Sequence, residues 1–313
     1  MPAAAPDDLL AAARAGDRGA LARLISIIER GGEEARQVGR AAHGPGIDAT
    51  TVGITGAPGA GKSTLTSALL ETVRERGEPI AVLAIDPSSP FSGGALLGDR
   101  VRMGEHALDD GVFIRSMATR GHVGGLAVAA PEAVRVLAAA GYPWVILETV
   151  GVGQVEIDVM AQADTTVVVV TPGWGDAVQA NKAGLMEIAD VFVVNKADRP
   201  GADDAARDLE RMLNMSPAEA WRPPVLCTTA TTGRGVPEVW QAVVDHRAHL
   251  TAGGELQERR RRRAAEEVTR LVAARLLDKA RAVTAGPRAA DLADAVASGD
   301  MDPWTAAEEL LGE

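Results

Sequence analysis

Hydrophobic positions follow two rhythms along this chain. Over residues 7–43 they recur at helical spacing. Leu21, Leu24, Ile25 and Ile28 stand at i, i+3, i+4 and i+7 and form one apolar stripe, with Asp17 as a candidate N-cap ahead of it. The run GPGID at 44–48 breaks the pattern. From 51 to about 250, short apolar runs (TVGIT, IAVLAI, VFI, WVILE, TTVVVV, VFVVN and PVLCT) alternate with helical stretches. That alternation predicts an α/β fold with a doubly wound, mostly parallel sheet. TAGGEL at 251–256 reads as a linker. A long amphipathic helix should follow, with Val268, Leu271, Val272 and Leu276 on one face, and a last short helix near DPWTAAEELL. The expected division is a helical extension over 1–48, an α/β domain over 49–250 and a second helical extension over 251–313.

Composition narrows the classes. Of the 313 residues 46% are apolar but only 3% aromatic, so Ala, Val, Leu and Ile must build the core. A balance of 32 basic to 43 acidic side chains, net −11, argues against a general nucleic-acid binder. Cys227 is the single cysteine, which excludes an intrachain disulfide framework and a cysteine cluster for a structural metal. Asp7 and Asp8 stand where a signal peptide would carry positive charge. The longest purely apolar runs, such as VVVV at 167–170, are far below the ~20 residues that span a bilayer. The expectation is a soluble cytoplasmic protein with no membrane and no nucleic-acid partner.

GAPGAGKS at 56–63 follows the strand TVGIT and precedes the helical TLTSALLETVRERG, fitting G-x-x-x-x-G-K-[ST] in the strand–loop–helix context that motif needs. Gly56, Ala57, Pro58, Gly59, Ala60 and Gly61 would close backbone N–H groups around phosphate oxygens. The helix N-terminus adds its positive dipole end. Lys62 would contact the β- and γ-phosphates, and the Ser63 hydroxyl would ligate Mg²⁺, with Thr64 next in the same turn.

NKAD at 195–198 closes the strand VFVV. Asp198 can accept from the N1–H and the exocyclic amine of guanine, a pattern adenine does not present, so adenine would leave the carboxylate unpaired. Asn195 would brace neighbouring loops, and the Lys196 stem can cover the base. TTA at 228–230 would complete the base pocket, with Thr229 beside it and Ala230 offering its backbone N–H. Together with the P-loop this predicts GTP and GDP rather than ATP as ligands. ILETVGVGQVEID at 146–158 then gains a meaning. Glu148 ends a central strand, where a P-loop NTPase supplies a carboxylate to the metal shell. Gly151 can offer its N–H to the γ-phosphate, and VGVGQVE becomes a candidate switch loop. Asp86, in AIDPSSP, can reach metal-bound or attacking water, with Gln154 as the second candidate for that water. Asp99, in GGALLGDRVRM, can fold over the metal; a turn acid or N-cap is the alternative for both aspartates. Five consecutive arginines, Arg259 to Arg263, are flanked by Glu255, Glu258, Glu266 and Glu267 at helical spacing, which predicts ion pairing on a solvated face.

GAPGAGKST, IDPSSP, GGALLGDRVRM, TRGHVGGL, ETVGVGQVE, PGWGDAVQANKAGLMEIADVFVVNKAD and DPWTAAEELL together resemble the MeaB/ArgK/MMAA family. Its members are SIMIBI-class P-loop GTPases that chaperone cobalamin-dependent acyl-CoA mutases such as methylmalonyl-CoA mutase. The resemblance runs from the N-terminal helices to the last residues. It implies a GTPase of low intrinsic activity that the mutase stimulates, gating adenosylcobalamin delivery and protecting or rescuing the mutase. It also implies a homodimer formed through a C-terminal helical extension. Nucleotide and Mg²⁺ roles fall by resemblance on Lys62, Ser63, Asp86, Asp99 and Glu148, and coupling to the partner on Asp176, Gln179 and Lys182. Two alternatives stand beside it: a nucleotide-dependent kinase of a transport-associated protein, and a metallochaperone GTPase.

Overall fold

The computed structural model describes residues 5–44, 46, 48–86, 106, 108–118, 125–149, 160–173, 187–215 and 220–312, without the side chains of Asp86, Ala118 and residues 125–128. The N-terminal stripe folds as three helices, α1 (Pro6–Arg14), α2 (Arg18–Arg30) and α3 (Gly32–His43). Asp17 caps α2 as expected, its Oδ1 accepting from the N–H groups of Gly19 at 2.8 Å and Ala20 at 3.0 Å. Leu21, Leu24, Ile25 and Ile28 are all buried.

Each predicted apolar run becomes a strand: β1 (Thr50–Gly56), β2 (Ile80–Asp86), β3 (Val112–Ala118), β4 (Trp144–Thr149), β5 (Thr165–Val170), β6 (Val191–Asn195) and β7 (Val225–Thr228). They form one sheet in the order β3-β2-β4-β1-β5-β6-β7, with every pairing parallel. The strands are short and apolar because helices cover both faces. On β2, Ala81, Leu83 and Ile85 join a core with α1–α3 and with α5 (Gly125–Ala139). Ile80 and Val82 join the opposite core with α4 (Lys62–Glu75) and α7 (Val236–Ala252). A third cluster packs Val168, Val170, Phe192 and Val194 against α6 (Ala202–Met215). Parallel strands all present their C-terminal ends at one edge, and β1 lies between β4 and β5 where the winding reverses. In open α/β sheets that edge is where ligands bind.

TAGGEL is not an extended linker. Only Gly253 and Gly254 separate α7 from α8 (Glu255–Thr284). The arginine run also departs from expectation. Arg261 of the run pairs along the helix, with Glu258. Arg260 donates to Ala49 O at 2.7 Å and to Asp164 Oδ2 at 3.0 Å. Arg263 reaches Asp164 Oδ1 and Gln162 O, and Arg259 lies 3.4 Å from Asp190 Oδ1. The acids that matter are distant in sequence, so the helix start is clamped to the strand bases instead of lying solvated. Burial pushes Asp164 upward, but Arg263 and Arg260 outweigh it and hold its carboxyl below the ordinary value. Nearby, His246 is fully buried against Thr165 Oγ1 at 2.9 Å, and burial holds its pKa down at about 4.

The chain divides into two compact units, Met1–Arg263 and Ala264–Glu313. In the second, Val268, Val272 and Leu276 are exposed. It also holds α9 (Pro287–Ser298) and α10 (Pro303–Leu311), the latter capped by Asp302 Oδ1 on the N–H groups of Trp304 and Thr305. No helix among the described residues is long and apolar enough to cross a membrane.

Candidate functional site

Strand β1 ends in Gly56, from which the chain turns through the loop 57–61 into α4. Glycine is required at both ends of the turn. At Gly56, with φ +142°, a Cβ would meet Val169 O at 2.1 Å; at Gly61, with φ +90°, it would meet Asn195 Nδ2 at 2.4 Å. Pro58 and Gly59 are exposed at the crest, Ala57 is half-buried and Ala60 is buried. Lys62 folds back under the loop, its Nζ donating to Gly56 O at 2.8 Å and Ala57 O at 3.3 Å. Ser63 and Thr64 follow in the first turn of α4.

Register places Ile54 of β1 beside Glu148 of β4, so the carboxylate emerges next to the loop. Ser63 Oγ donates to Glu148 Oε1 at 2.5 Å. Glu148 is fully buried and Ser63 nearly so, and in that setting a charge-assisted hydrogen bond is strong. A hydroxyl and a carboxylate oxygen brought together in this way form a hard-oxygen pair of the kind Mg²⁺ takes.

The second arm of the site comes from β6 and β7, paired so that Asn195 faces Thr228. Asn195 Nδ2 donates to Ala60 O at 2.9 Å, while its Oδ1 accepts from Thr228 Oγ1 at 3.1 Å and from the Ala230 N–H at 3.2 Å. One carboxamide thus joins the P-loop to both strand ends. The Ala230 N–H, expected to face the base, is engaged by Asn195 in this structure, since the β6–β7 register puts that carboxamide within reach. Lys196 takes φ 59° and sends Nζ to Gly59 O at 2.7 Å. Asp198 is exposed in the turn just beyond, and Thr229 is buried with its N–H on Arg234 O at 3.0 Å.

Lys62, Ser63, Glu148, Asn195 and Lys196 therefore meet around one loop. Asp86 closes β2 at the same edge, but its side chain lies outside the described residues, as do Asp99, Gly151, Gln154, Asp176, Gln179 and Lys182. Thr228 opens the expected TTA turn, but its bond to Asn195 was not foreseen. Its contact with Asn195 depends on strand register, for which the sequence carries no local signal.

Residues 21–285 match the family model described as methylmalonyl Co-A mutase-associated GTPase MeaB. A Pyrococcus abyssi protein named as a GTPase is 47% identical over 311 residues, covering 98% of this chain and 96% of its own length. GTPase ArgK of Escherichia coli is 41% identical over 220 residues, 69% of this chain and 66% of that protein. A crystal structure described as LAO/AO transport system kinase is 28% identical with a TM-score of 0.73, covering 100% of this chain and 98% of that one. With the phosphate loop, the buried Ser63–Glu148 pair and the Asn195 bridge built on this all-parallel sheet, the chain belongs to the MeaB family of methylmalonyl-CoA mutase-associated GTPases, P-loop enzymes that bind and hydrolyse guanine nucleotide.

Proposed function

We propose that this chain is a Mg²⁺-dependent GTPase that chaperones a cobalamin-dependent acyl-CoA mutase of the methylmalonyl-CoA mutase type, gating adenosylcobalamin delivery and protecting or reactivating the enzyme. The observation that carries the reading is the match over residues 21–285 to a family named for its association with that mutase. In the proposed reaction the P-loop N–H groups and Lys62 hold the β- and γ-phosphates, and Ser63 and Glu148, with Asp86 and Asp99, supply the oxygen ligands of the metal. Bound Mg²⁺ would neutralise charge on the phosphate oxygens. Asp86 orients water for attack on the γ-phosphorus as the bond to the β-phosphate oxygen breaks, giving GDP and phosphate; Gln154 is the second candidate for that task. Catalysis is then mostly positioning and electrostatics. The exposed Val268, Val272 and Leu276 support a homodimer formed through residues 251–313 of the chain, and a cytoplasmic setting fits this role.

Tagged protein loaded with Mg²⁺ and a non-hydrolysable GTP analogue, or with GDP, tests the partner. The expected result is nucleotide-sensitive recovery of a cobalamin-dependent mutase from native lysate. If purified mutase binds neither form, the chaperone reading fails. The base-reading role has its own test. Asp198→Asn should move preference from guanine toward xanthine nucleotides, costing GTP about 2 kcal/mol, roughly 30-fold in affinity, because one acceptor becomes a donor. An unchanged preference refutes it. The similarity to the structure described as a transport system kinase keeps a second reading, phosphoryl transfer to a protein acceptor, which labelled nucleotide would reveal as labelled protein.

A further inference from the structure

The strand bases hold a buried imidazole that the nucleotide chemistry does not use. His246 of α7 is fully buried, with Nδ1 2.9 Å from Thr165 Oγ1 at the start of β5. Its Nε2 stands 3.2 Å from Asp190 Oδ1, yet makes no hydrogen bond among the described residues. A buried ring nitrogen left so is costly. The acid beside it is already engaged. Asp190 Oδ2 accepts from the Thr166 N–H at 2.8 Å, and Arg259 Nη1 of α8 lies 3.4 Å from Oδ1. The Trp221 ring centroid is 4.8 Å from that of His246 and 5.3 Å from that of His249, while Trp221 Nε1 donates to Asp190 O at 2.9 Å. The charged and titratable groups facing His246 are therefore Asp190 ahead of β6, Arg259 on α8, Asp164 ahead of β5 and His249 on α7 itself.

We propose that His246 is an acid-operated latch: a proton on its imidazole lets Nε2 donate to Asp190 Oδ1 and drives Arg259 off that oxygen, loosening the start of α8. A charged imidazole carries N–H on both nitrogens, so Thr165 Oγ1 can accept from Nδ1 while Asp190 accepts from Nε2. Two cations crowded onto one carboxylate oxygen repel, and sparse water screens them poorly. Arg260 and Arg263 keep their hold on Asp164, which confines the release to Arg259. Near neutral pH the latch stays closed. Burial, then Arg259 and His249, hold the imidazole neutral down to about 4, with Asp164 acting the other way. The unfolded chain takes that proton at the ordinary 6.5, so stability present above 6.5 is lost as pH falls toward 4.

The test has two arms in the full-length protein. Denaturant unfolding compares wild type with His246→Gln, and the carboxylates that both share cancel in the comparison. Between about pH 7.5 and about pH 5.5 the folding equilibrium of wild type should fall about tenfold more than that of His246→Gln. A merely structural imidazole would leave the two losses equal, which overturns the latch. The second arm follows the 5 histidine ring signals by NMR in wild type and Arg259→Ala. Removing the guanidinium should raise the proton affinity of His246 about tenfold, and by linkage the proton weakens the Arg259 grip by the same factor. If no histidine signal titrates at higher pH in Arg259→Ala, the exchange of partners at Asp190 is overturned. Should His246→Gln fail to fold, this second arm decides alone.

Discussion

Lys62→Ala will lose GTP binding. Lys62 is 7% exposed, and its ammonium donates to two carbonyls, Gly56 O at 2.8 Å and Ala57 O at 3.3 Å. That places a positive charge inside a glycine-rich turn at a helix N-terminus, a setting that favours anions. When phosphate arrives, the same ammonium can take up its oxygens with little reorganisation, which is why the interaction should be strong. Two charge-assisted hydrogen bonds amount to about 4 kcal/mol, or roughly a thousandfold in affinity. Calorimetric titration with GTP and Mg²⁺ checks it, and micromolar affinity retained by the variant would sink the P-loop assignment. The fold should survive, because Leu65 and Leu69, both fully buried, remain to pack α4 on the sheet.

Asp164→Ala should be the most destabilising single substitution at the far end of the sheet. The side chain is 2% exposed and serves three partners: Arg260, Arg263 and the Thr51 N–H, the last at 3.1 Å. Truncation removes the buried carboxylate that two guanidinium groups and a backbone donor share, leaving each arginine only its backbone carbonyl partner among those described. Breaking a buried pair from one side costs about 4 kcal/mol, which for a chain of this size lowers Tm by roughly 10 °C. Asp164→Asn keeps an acceptor for Thr51 and should lose about half as much. Arg260→Ala, at a side chain 29% exposed, should cost about 1 kcal/mol. GTP affinity should scarcely move, since Thr51 lies five residues before Gly56, about 17 Å along an extended strand. Denaturant titration measures the stability, and a loss under 1 kcal/mol would show the clamp to be ornamental.

The two substitutions also mark how much could be read in advance. Lys62 lies in a local pattern, glycines at fixed offsets between a strand and a helix, and such patterns survive in sequence because neighbouring residues make the geometry. All seven strands were legible for the same reason, as was the Asp17 cap, whose partners lie two and three residues away. The clamp was not. Glu255, Glu258, Glu266 and Glu267 sat at the right helical spacing, yet Arg260 and Arg263 went to Asp164, nearly a hundred residues earlier. A fully exposed pair gains little from solvent-screened attraction, so a buried carboxylate at a strand base outcompetes nearer glutamates.

Sequence by itself determined the strand–loop–helix phosphate motif, the acid at the end of β4, the NKAD turn after β6 and the alternation that makes a doubly wound sheet. Each is a matter of residue type at short separation. Tertiary structure alone decided that Asn195 joins Ala60 to Thr228 and Ala230, that His246 meets Thr165, and that the arginine run grips the strand bases. Those contacts depend on strand order and register, which are set by how two apolar cores close over both faces of the sheet. No local stretch encodes that closure, so partners that meet across it become visible only once the chain has folded.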